Sequence, residues 1–540
     1  MNKLWWHDKF VYQIYPKSFK DSNNDGIGDL KGIIEKLDYL KDLGVDILWI
    51  TPFFKSPMVD NGYDISDYKD INPMFGSMED MDLLIQEAKK REIYIMMDLV
   101  ANHCSDKHYW FQEALKGTDN PYHDYFIFRK NKVHNEHKSC FGGEAWEYVK
   151  DLDEYYFHEF AKEQPDLNYD NPKIMEEVIN IINFWMEKGV KGIRFDVIHM
   201  IGKQIDNGIY GYGPKLHERV QRLYKESYGS YDIITVGEAW GNLDQALDFT
   251  LPERHEFNMV FQFECTSSTN DNQRFGKWSP KPINMKFCKD TWIKYQLGLN
   301  DKSWNALFVE NHDLGRCINR FGSLDYKNES AKMIATMVYF QKGTPYIYQG
   351  QEIGMTNIKM DKLEDYQDVE IFGAYKDLVL TGKIDKKDFL DACYKEARDN
   401  NRIPFQWDDT KNAGFTLNAT PWIKVNNDYK ETNVKKELTD STSILNYYKE
   451  LIKLRKNPLY KDTFVYGKFV PVNQENEDVF EYKRVYDNQE IVIICNMTNK
   501  KIPYKSDNRI DKVLLKNYDK DYKQITELAP YEAIVFKKAD

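Results

Sequence analysis

Short apolar runs alternate with longer stretches of helical periodicity along most of the chain. "FVYQIYP" (10–16) precedes "LKGIIEKLDYLKDLG", which leads into "VDILWITP" (45–52); "MEDMDLLIQEAKKRE" then leads into "IYIMMDLV" (93–100). Further runs follow at "VKGIRFDV" (190–197), "YDIITVGEA" (231–239), "MVFQFE" (259–264), "NALFVENHD" (305–313) and "TPYIYQGQEIGM" (344–355). Eight strands separated by helices or long connections predict a parallel sheet, and eight such units predict a closed (β/α)8 barrel. Nearly continuous apolar strands such as "YDIITV" suit a sheet covered on both faces.

Two interruptions are too long for ordinary loops. Residues 104–170, after the third strand, predict a small inserted domain. Residues 356–430, after the eighth strand, carry helices of their own, so the barrel is expected over 1–103 and 171–463. From 464 to 540 the pattern changes to short alternating strands with turn signals, as in "DVFEYKRVY", "EIVIICNMT" and "YEAIVFKK". That is an antiparallel all-β sandwich.

Composition narrows the function. A formal net charge of −12 disfavours nucleic acid and anionic membranes as partners. The seven cysteines are scattered and odd in number. They outline neither a disulfide framework nor a zinc site, and they suit a reducing cytoplasm. No run reads as a signal peptide or a membrane span. Aromatic residues reach 15%, which suits stacking on sugar rings but equally the filling of cores.

In an α/β barrel the chemistry sits where the strands end. Reading the ends of the apolar runs gives Asp98 and His103, Asp196, Glu238, then His312 and Asp313. Any one acid alone reads as a helix cap or salt-bridge partner. Three at the mouths of strands four, five and seven do not, because buried acids are costly unless paired or used. Arg194 lies two residues before Asp196 and shares its strand face. Paired acids, without a phosphate loop or a serine or cysteine nucleophile arrangement, point to glycoside hydrolysis. Arg194 is then expected to keep Asp196 ionised as a nucleophile, while apolar and anionic neighbours raise Glu238 into the role of acid.

The stretch "DSNNDGIGDL" (21–30) poses a separate question. Alternating oxygen-bearing side chains followed by Gly26 begin like an EF-hand calcium loop. The twelfth position is Gly32 rather than Glu, and a strand precedes the loop. An EF-hand is excluded; a metal-stapled loop or a hydrated polar turn remains.

"DLVANH", "GIRFDV", "VGEAW" and "ENHD", in this order and spacing, resemble the four signature regions of the α-amylase superfamily, glycoside hydrolase family 13. "QPDLNYDNP" (164–172), "SPMVDNGYDISDY" and "ARDNNRIPFQWDDTKNAGF" are similar to its oligo-1,6-glucosidase, dextran glucosidase and α-glucosidase group. The resemblance spans nearly the whole chain. It implies Asp196 as nucleophile, Glu238 as acid/base and Asp313 as the third acid, in a retaining reaction with the first two carboxyls ~5–5.5 Å apart. It also implies that His103 and His312 bond the same sugar ring.

Further implied sugar contacts are Asp60 and Arg398 clamping the terminal glucose, Tyr63 stacking on it, and Phe141, Phe160 and Gln164 walling the pocket. Arg402 is expected to be scaffold. Val197, Lys277 and Glu370 match positions that favour α-1,6 linkages. By the same resemblance Asp21, Asn23, Asp25, the Ile27 carbonyl and Asp29 hold a structural Ca2+, with Mg2+ the alternative occupant. Four positions depart from the pattern: His199, Glu310, Gly315 and Tyr169 are expected near the pocket rim, where they bear on linkage and chain length. The implied activity is an exo-acting α-glucosidase on isomaltose, isomaltotriose or panose. The rivals are an α-1,4-glucosidase, a sucrose-hydrolysing enzyme, a trehalose-6-phosphate hydrolase and a binding-only homologue. A monomer or weak dimer in the cytoplasm is expected.

Overall fold

The computed structural model describes residues 3–539. Eight parallel strands form the central sheet: β1 (Val11–Ile14), β2 (Ile47–Ile50), β3 (Tyr94–Val100), β4 (Gly192–Asp196), β5 (Ile234–Glu238), β6 (Met259–Phe261), β7 (Ala306–Leu307) and β8 (Thr344–Tyr348). Their order is β6-β5-β4-β3-β2-β1-β8-β7. This curls into a barrel whose seam lies between β6 and β7, the shortest strands. The rings of Phe261 and Phe308 meet edge-on across the seam at 5.0 Å. All eight runs expected from the sequence are strands, although β7 pairs over only two residues and "VENHD" leaves the sheet as irregular backbone.

Strand alternation sorts the barrel interior into layers. The lower layers are apolar, with Val11, Trp49, Met96, Val236, Met259 and Tyr346 in one buried cluster. Gly192 opens β4 among them because a Cβ there would lie 2.9 Å from that of Met96 and 3.0 Å from Ile234 Cγ2. Two and four residues further on, Arg194 and Asp196 point the same way from the upper end of β4. Asp98 is the β3 partner of Arg194, and Val236 is its β5 partner. Polar side chains are thus delivered to one rim of an apolar plug.

Between β3 and β4, residues 104–170 carry a three-stranded antiparallel sheet, Phe128–Arg129, Glu154–Phe157 and Trp146–Val149, around a small core of Ile127, Trp146 and Phe157. After β8 the chain builds the helices Val369–Ala374, Lys386–Glu396 and Asp399–Arg402. The C-terminal part is all-β and antiparallel. Strands β9 (Lys468–Val472), β10 (Val479–Tyr486), β11 (Gln489–Asn496), β12 (Ile510–Lys516) and β13 (Ala533–Lys538) are ordered β9-β10-β11-β13-β12, with the pair Ile502–Pro503 and Glu527–Leu528 beside them. Buried Arg484 bolts this sheet to the barrel by donating to the Phe340 carbonyl at 2.7 Å. Among the described residues no helix is long and apolar enough to cross a membrane.

Candidate active site

At the upper rim, the Arg194 guanidinium is the hub. Its Nη1 donates to Asp98 Oδ1 at 2.6 Å and to Asp196 Oδ1 at 2.8 Å, while Nη2 donates to Glu238 Oε2. The Val197 amide also donates to Glu238 Oε2, at 3.3 Å, and Trp240 Nε1 to Oε1 at 2.9 Å. Asp98 is fully buried and accepts further bonds from Trp49 Nε1 and Tyr63 Oη, both at 3.0 Å. Asp196 and Glu238 therefore sit on two nitrogens of one side chain.

Burial and neighbouring charge decide how Asp196 titrates. Burial, and then the negative charges of Glu238, Asp98 and Asp313, push the Asp196 carboxyl well above its ordinary range against the pull of Arg194. Burial raises Asp98 as well. The sequence expectation gave Arg194 to Asp196 alone; the guanidinium is instead shared with Asp98 and Glu238. One guanidinium divided among three carboxylates does not neutralise the nucleophile candidate.

Asp313, at the end of the irregular stretch after β7, lies in a different field. Arg402 Nη2 donates to its Oδ1 at 2.8 Å, Arg398 Nη1 lies 3.5 Å away, and His312 Nε2 is 3.0 Å from Oδ2. Burial opposes its charge, but His312 and the two guanidinium groups outweigh it and hold the carboxyl below its usual range. Burial drives His312 itself down to about 3, so its ring is neutral at physiological pH. The tautomer follows from its partners. Gln13 Nε2 donates to Nδ1 at 2.7 Å, leaving the Nε2 proton for Asp313 and Tyr63 Oη, and the tyrosine hydroxyl for Asp98.

Tyr63 stacks on His312 at 5.3 Å and 4° and shows its other face to a cavity of about 490 Å³. That cavity is also lined by Asp60, His103, Phe141, Phe160, Asp196, Val197, Glu238, Lys277, Asp313, Glu370 and Arg398. Arg398 grips Asp60 at 3.0 Å and Asp368 at 2.7 Å, and Phe141 covers its guanidinium at 4.7 Å. Gln164 Nε2 reaches Asp60 Oδ2 at 3.1 Å. His103, lowered to about 4 by burial, accepts from Asn102 on Nδ1 and donates from Nε2 to the Tyr63 carbonyl at 3.2 Å. Lys277 bonds Glu370 at 2.7 Å on the outer wall.

Of the expected contacts, Gln164, Arg194 and His312 stand behind the lining rather than in it, and so does fully buried Arg402. Val197 is buried against Phe160 and Met200 with φ 33°. Left-handed backbone is strained for a β-branched residue, and here the strain falls beside the nucleophile candidate.

The expected rim positions are a correction. His199, Glu310, Gly315 and Tyr169 line no part of this cavity. His199 is buried behind Trp240, Glu310 holds the Cys317 amide, and Tyr169 bonds the Ala101 carbonyl at 2.6 Å. Gly315 is small because a Cβ would meet the Lys395 carbonyl at 2.5 Å. Conversely, sequence reading missed Asp368, held to about 2 by Arg398 and Arg402 against its burial, and the cavity residues Trp240, Cys140 and Phe263. Trp240 closes the "VGEAW" motif and was signalled by it; the others depend on packing between distant segments.

The loop 21–29 winds by side-chain bonds to its own backbone. Asp21 accepts from the amides of Asn23, Asn24 and Gly26, Asn23 from Asp25, and Asp25 from Ile27. Asp29 accepts from Ser22 and caps the following helix at the Gly32 amide, 2.7 Å away. Three carboxylates, an amide and a carbonyl make a hard-oxygen donor set suited to Ca2+ or Mg2+. Among the described residues, no three acids, histidines or cysteines converge on one point, and Asp29 is engaged by Ser22 and by its cap.

The family profile described as "Alpha amylase, catalytic domain" matches residues 13–466. The chain is 46% identical to the "Oligo-1,6-glucosidase" of Parageobacillus thermoglucosidasius, over 99% of each chain. It is 41% identical to the "Glucan 1,6-alpha-glucosidase" of Streptococcus pneumoniae, again over 99% of each. Among solved structures, the isomaltulose synthase SmuA of Protaminobacter rubrum superposes with a TM-score of 0.96 at 38% identity, covering 100% of both chains. The protein thus belongs to the α-amylase family, glycoside hydrolase family 13.

Proposed function

We propose that this protein is an exo-acting, retaining α-glucosidase that releases glucose from the non-reducing end of short α-1,6-linked glucooligosaccharides such as isomaltose, isomaltotriose and panose. The observation that carries this reading is the juxtaposition of Asp196 and Glu238 on one guanidinium, at the floor of a cavity with the Asp60–Arg398 pair in its wall. Asp196 attacks the anomeric carbon while Glu238 protonates the departing glycosidic oxygen. Glu238 then takes a proton from the water that cleaves the glucosyl–Asp196 ester. Asp313 and His103 hold ring hydroxyls, neutral His312 steadies Asp313 and Tyr63 from behind, and Asp60 with Arg398 grips the terminal diol. Residues 104–170 act in this scheme as an inserted wall, supplying Phe141, Phe160 and Gln164.

The linkage rests on Val197, Lys277 and Glu370 and on the names of the two relatives. A phosphorylated disaccharide is disfavoured because Lys277 is taken by Glu370 and Lys281 by Asp271 at 3.1 Å, leaving neither charge free for a phosphate. We assign the loop Asp21, Asn23, Asp25, Ile27 carbonyl and Asp29 to a structural Ca2+, or Mg2+, whose task is to fix the connection after β1 and not to take part in chemistry. We place the protein in a reducing cytoplasm, which suits seven cysteines that form no disulfide among the described residues, and expect a monomer or weak dimer. A substrate panel tests the function. Isomaltose should give the highest kcat/KM among isomaltose, maltose, sucrose and trehalose 6-phosphate; a decisive win for maltose or sucrose refutes the linkage.

A further inference from the structure

Two segments far apart in the chain meet at the wall of the catalytic cavity. The strap 139–143 belongs to the inserted segment, anchored where the Ser139 hydroxyl donates to the Phe160 carbonyl at 2.6 Å and the Cys140 amide to the Glu159 carbonyl at 2.8 Å. It turns tightly, the Gly142 amide donating to the Ser139 carbonyl at 2.9 Å, with left-handed backbone at Gly142 (φ 89°) and Gly143 (φ 77°). At its tip the Gly143 amide crosses to Asp377 Oδ2 at 2.7 Å. Asp377 lies in the π-helical turn Tyr375–Val379 that continues helix Val369–Ala374, and widened turns of this kind recur at functional sites. The two backbones touch. A Cβ on Gly373 would overlap the Phe141 carbonyl, and one on Gly142 would lie 2.8 Å from Asp377 Oδ2. Three glycines and one acid, from segments 234 residues apart, thus serve a single close contact.

Both segments carry cavity wall. The strap brings Cys140 and Phe141 to it, and the helix brings Glu370. Phe141 covers the Arg398 guanidinium at 4.7 Å and meets the ring of Phe160 at 5.4 Å. The position of the strap therefore decides how far that guanidinium is shielded from water. We propose that Gly373 and Asp377 are positioning residues for the glucosidase reaction proposed above, on which this inference rests: they latch the strap across the wall, which keeps Phe141 on Arg398 and Arg398 set for the terminal diol. Gly373 lets the strap approach, and Asp377 holds it there. Neither residue lines the cavity, so the latch acts on substrate through Phe141.

The test compares the full chain with Asp377→Ala, Gly373→Ala and Asp377→Asn. Asparagine keeps an oxygen for the Gly143 amide; alanine at 377 removes it, and alanine at 373 pushes the strap off. Hydrogen exchange over 139–143, read by mass spectrometry without substrate, should be faster in both alanine variants and unchanged in Asp377→Asn. With isomaltose, KM should rise about tenfold in both alanine variants, the size of a shielded cation–π contact. Over the same series kcat should stay within about twofold, and Asp377→Asn should behave as the unsubstituted chain. Asp377 is half-buried, so its loss tests the latch even if Gly373→Ala fails to fold. Unchanged exchange in Asp377→Ala overturns the latch. Faster exchange with unchanged KM, or a loss confined to kcat, overturns the positioning role. An unsubstituted chain that hydrolyses no α-glucoside sinks the glucosidase reading and the positioning role with it, while exchange still decides the latch.

Discussion

At the floor of the cavity Asp98, Asp196 and Glu238 share one guanidinium, while in its wall Asp60, Asp313 and Asp368 share two. Burial pushes Asp196 and Asp98 up, and at Asp196 the charges of Glu238, Asp98 and Asp313 add to it against the pull of Arg194. In the wall Arg398 and Arg402 hold Asp313 and Asp368 down. Burial still lifts Asp60 to about 6 because Arg398 is divided between it and Asp368. The same residue types thus make a proton-exchanging site at one place and fixed, charge-balanced holds for hydroxyls at another. What separates them is burial together with the ratio of acids to guanidinium groups.

Removing the charge at the floor should have the largest effect. Asp196→Asn is expected to lower kcat by on the order of 10⁴-fold or more with the melting temperature nearly unchanged; full activity in that variant would refute its role. Arg398→Lys in the wall keeps the charge but loses the fork that holds Asp60 and Asp368 together. It should cost about 2–3 kcal/mol in kcat/KM, felt mainly in KM. An unchanged KM would remove Arg398 from substrate binding.

Acid should separate the two places. Asp196 must be ionised and its pKa is raised, so activity is lost as pH falls and the loss begins above the ordinary aspartate range. Asp368 has a depressed pKa of about 2. Its contribution to stability is present above the unfolded value and lost only as pH falls toward 2. A pH–rate profile and a pH–denaturation profile should therefore be offset, inactivation preceding unfolding. Coincident profiles contradict the comparison.

Smallest is the expected effect of the loop 21–29, whose side chains line neither place. Chelation should lower the melting temperature by a few degrees, on the order expected for a bound structural ion, with little change in kcat. Unchanged melting upon addition and removal of Ca2+ and Mg2+ refutes the metal loop.

The barrel strands and the acids at their ends were legible because alternation and run length are local properties of the chain. Asp196, Glu238 and Asp313 each close an apolar run, so their convergence followed from the topology. How one guanidinium is shared was not legible. Arg194 meets Glu238 only through the pairing of β4 with β5, and burial together with the neighbouring acids raises Asp196 against its pull. Asp368 lies in the long connection after β8, where no periodicity tells which side chains turn inward. Glu310 and Tyr169 lie within the "ENHD" and "QPDLNYDNP" motifs, yet line no part of the cavity.

The account stands on Asp196 and Glu238 flanking one anomeric carbon as nucleophile and acid. The most direct measurement is to trap the intermediate with a fluorinated glucosyl fluoride, which slows its hydrolysis, and to map the modified peptide by mass spectrometry. A single glucosyl adduct on the side chain of Asp196 is predicted. Label on another acid, or turnover with inversion and no adduct, would contradict it.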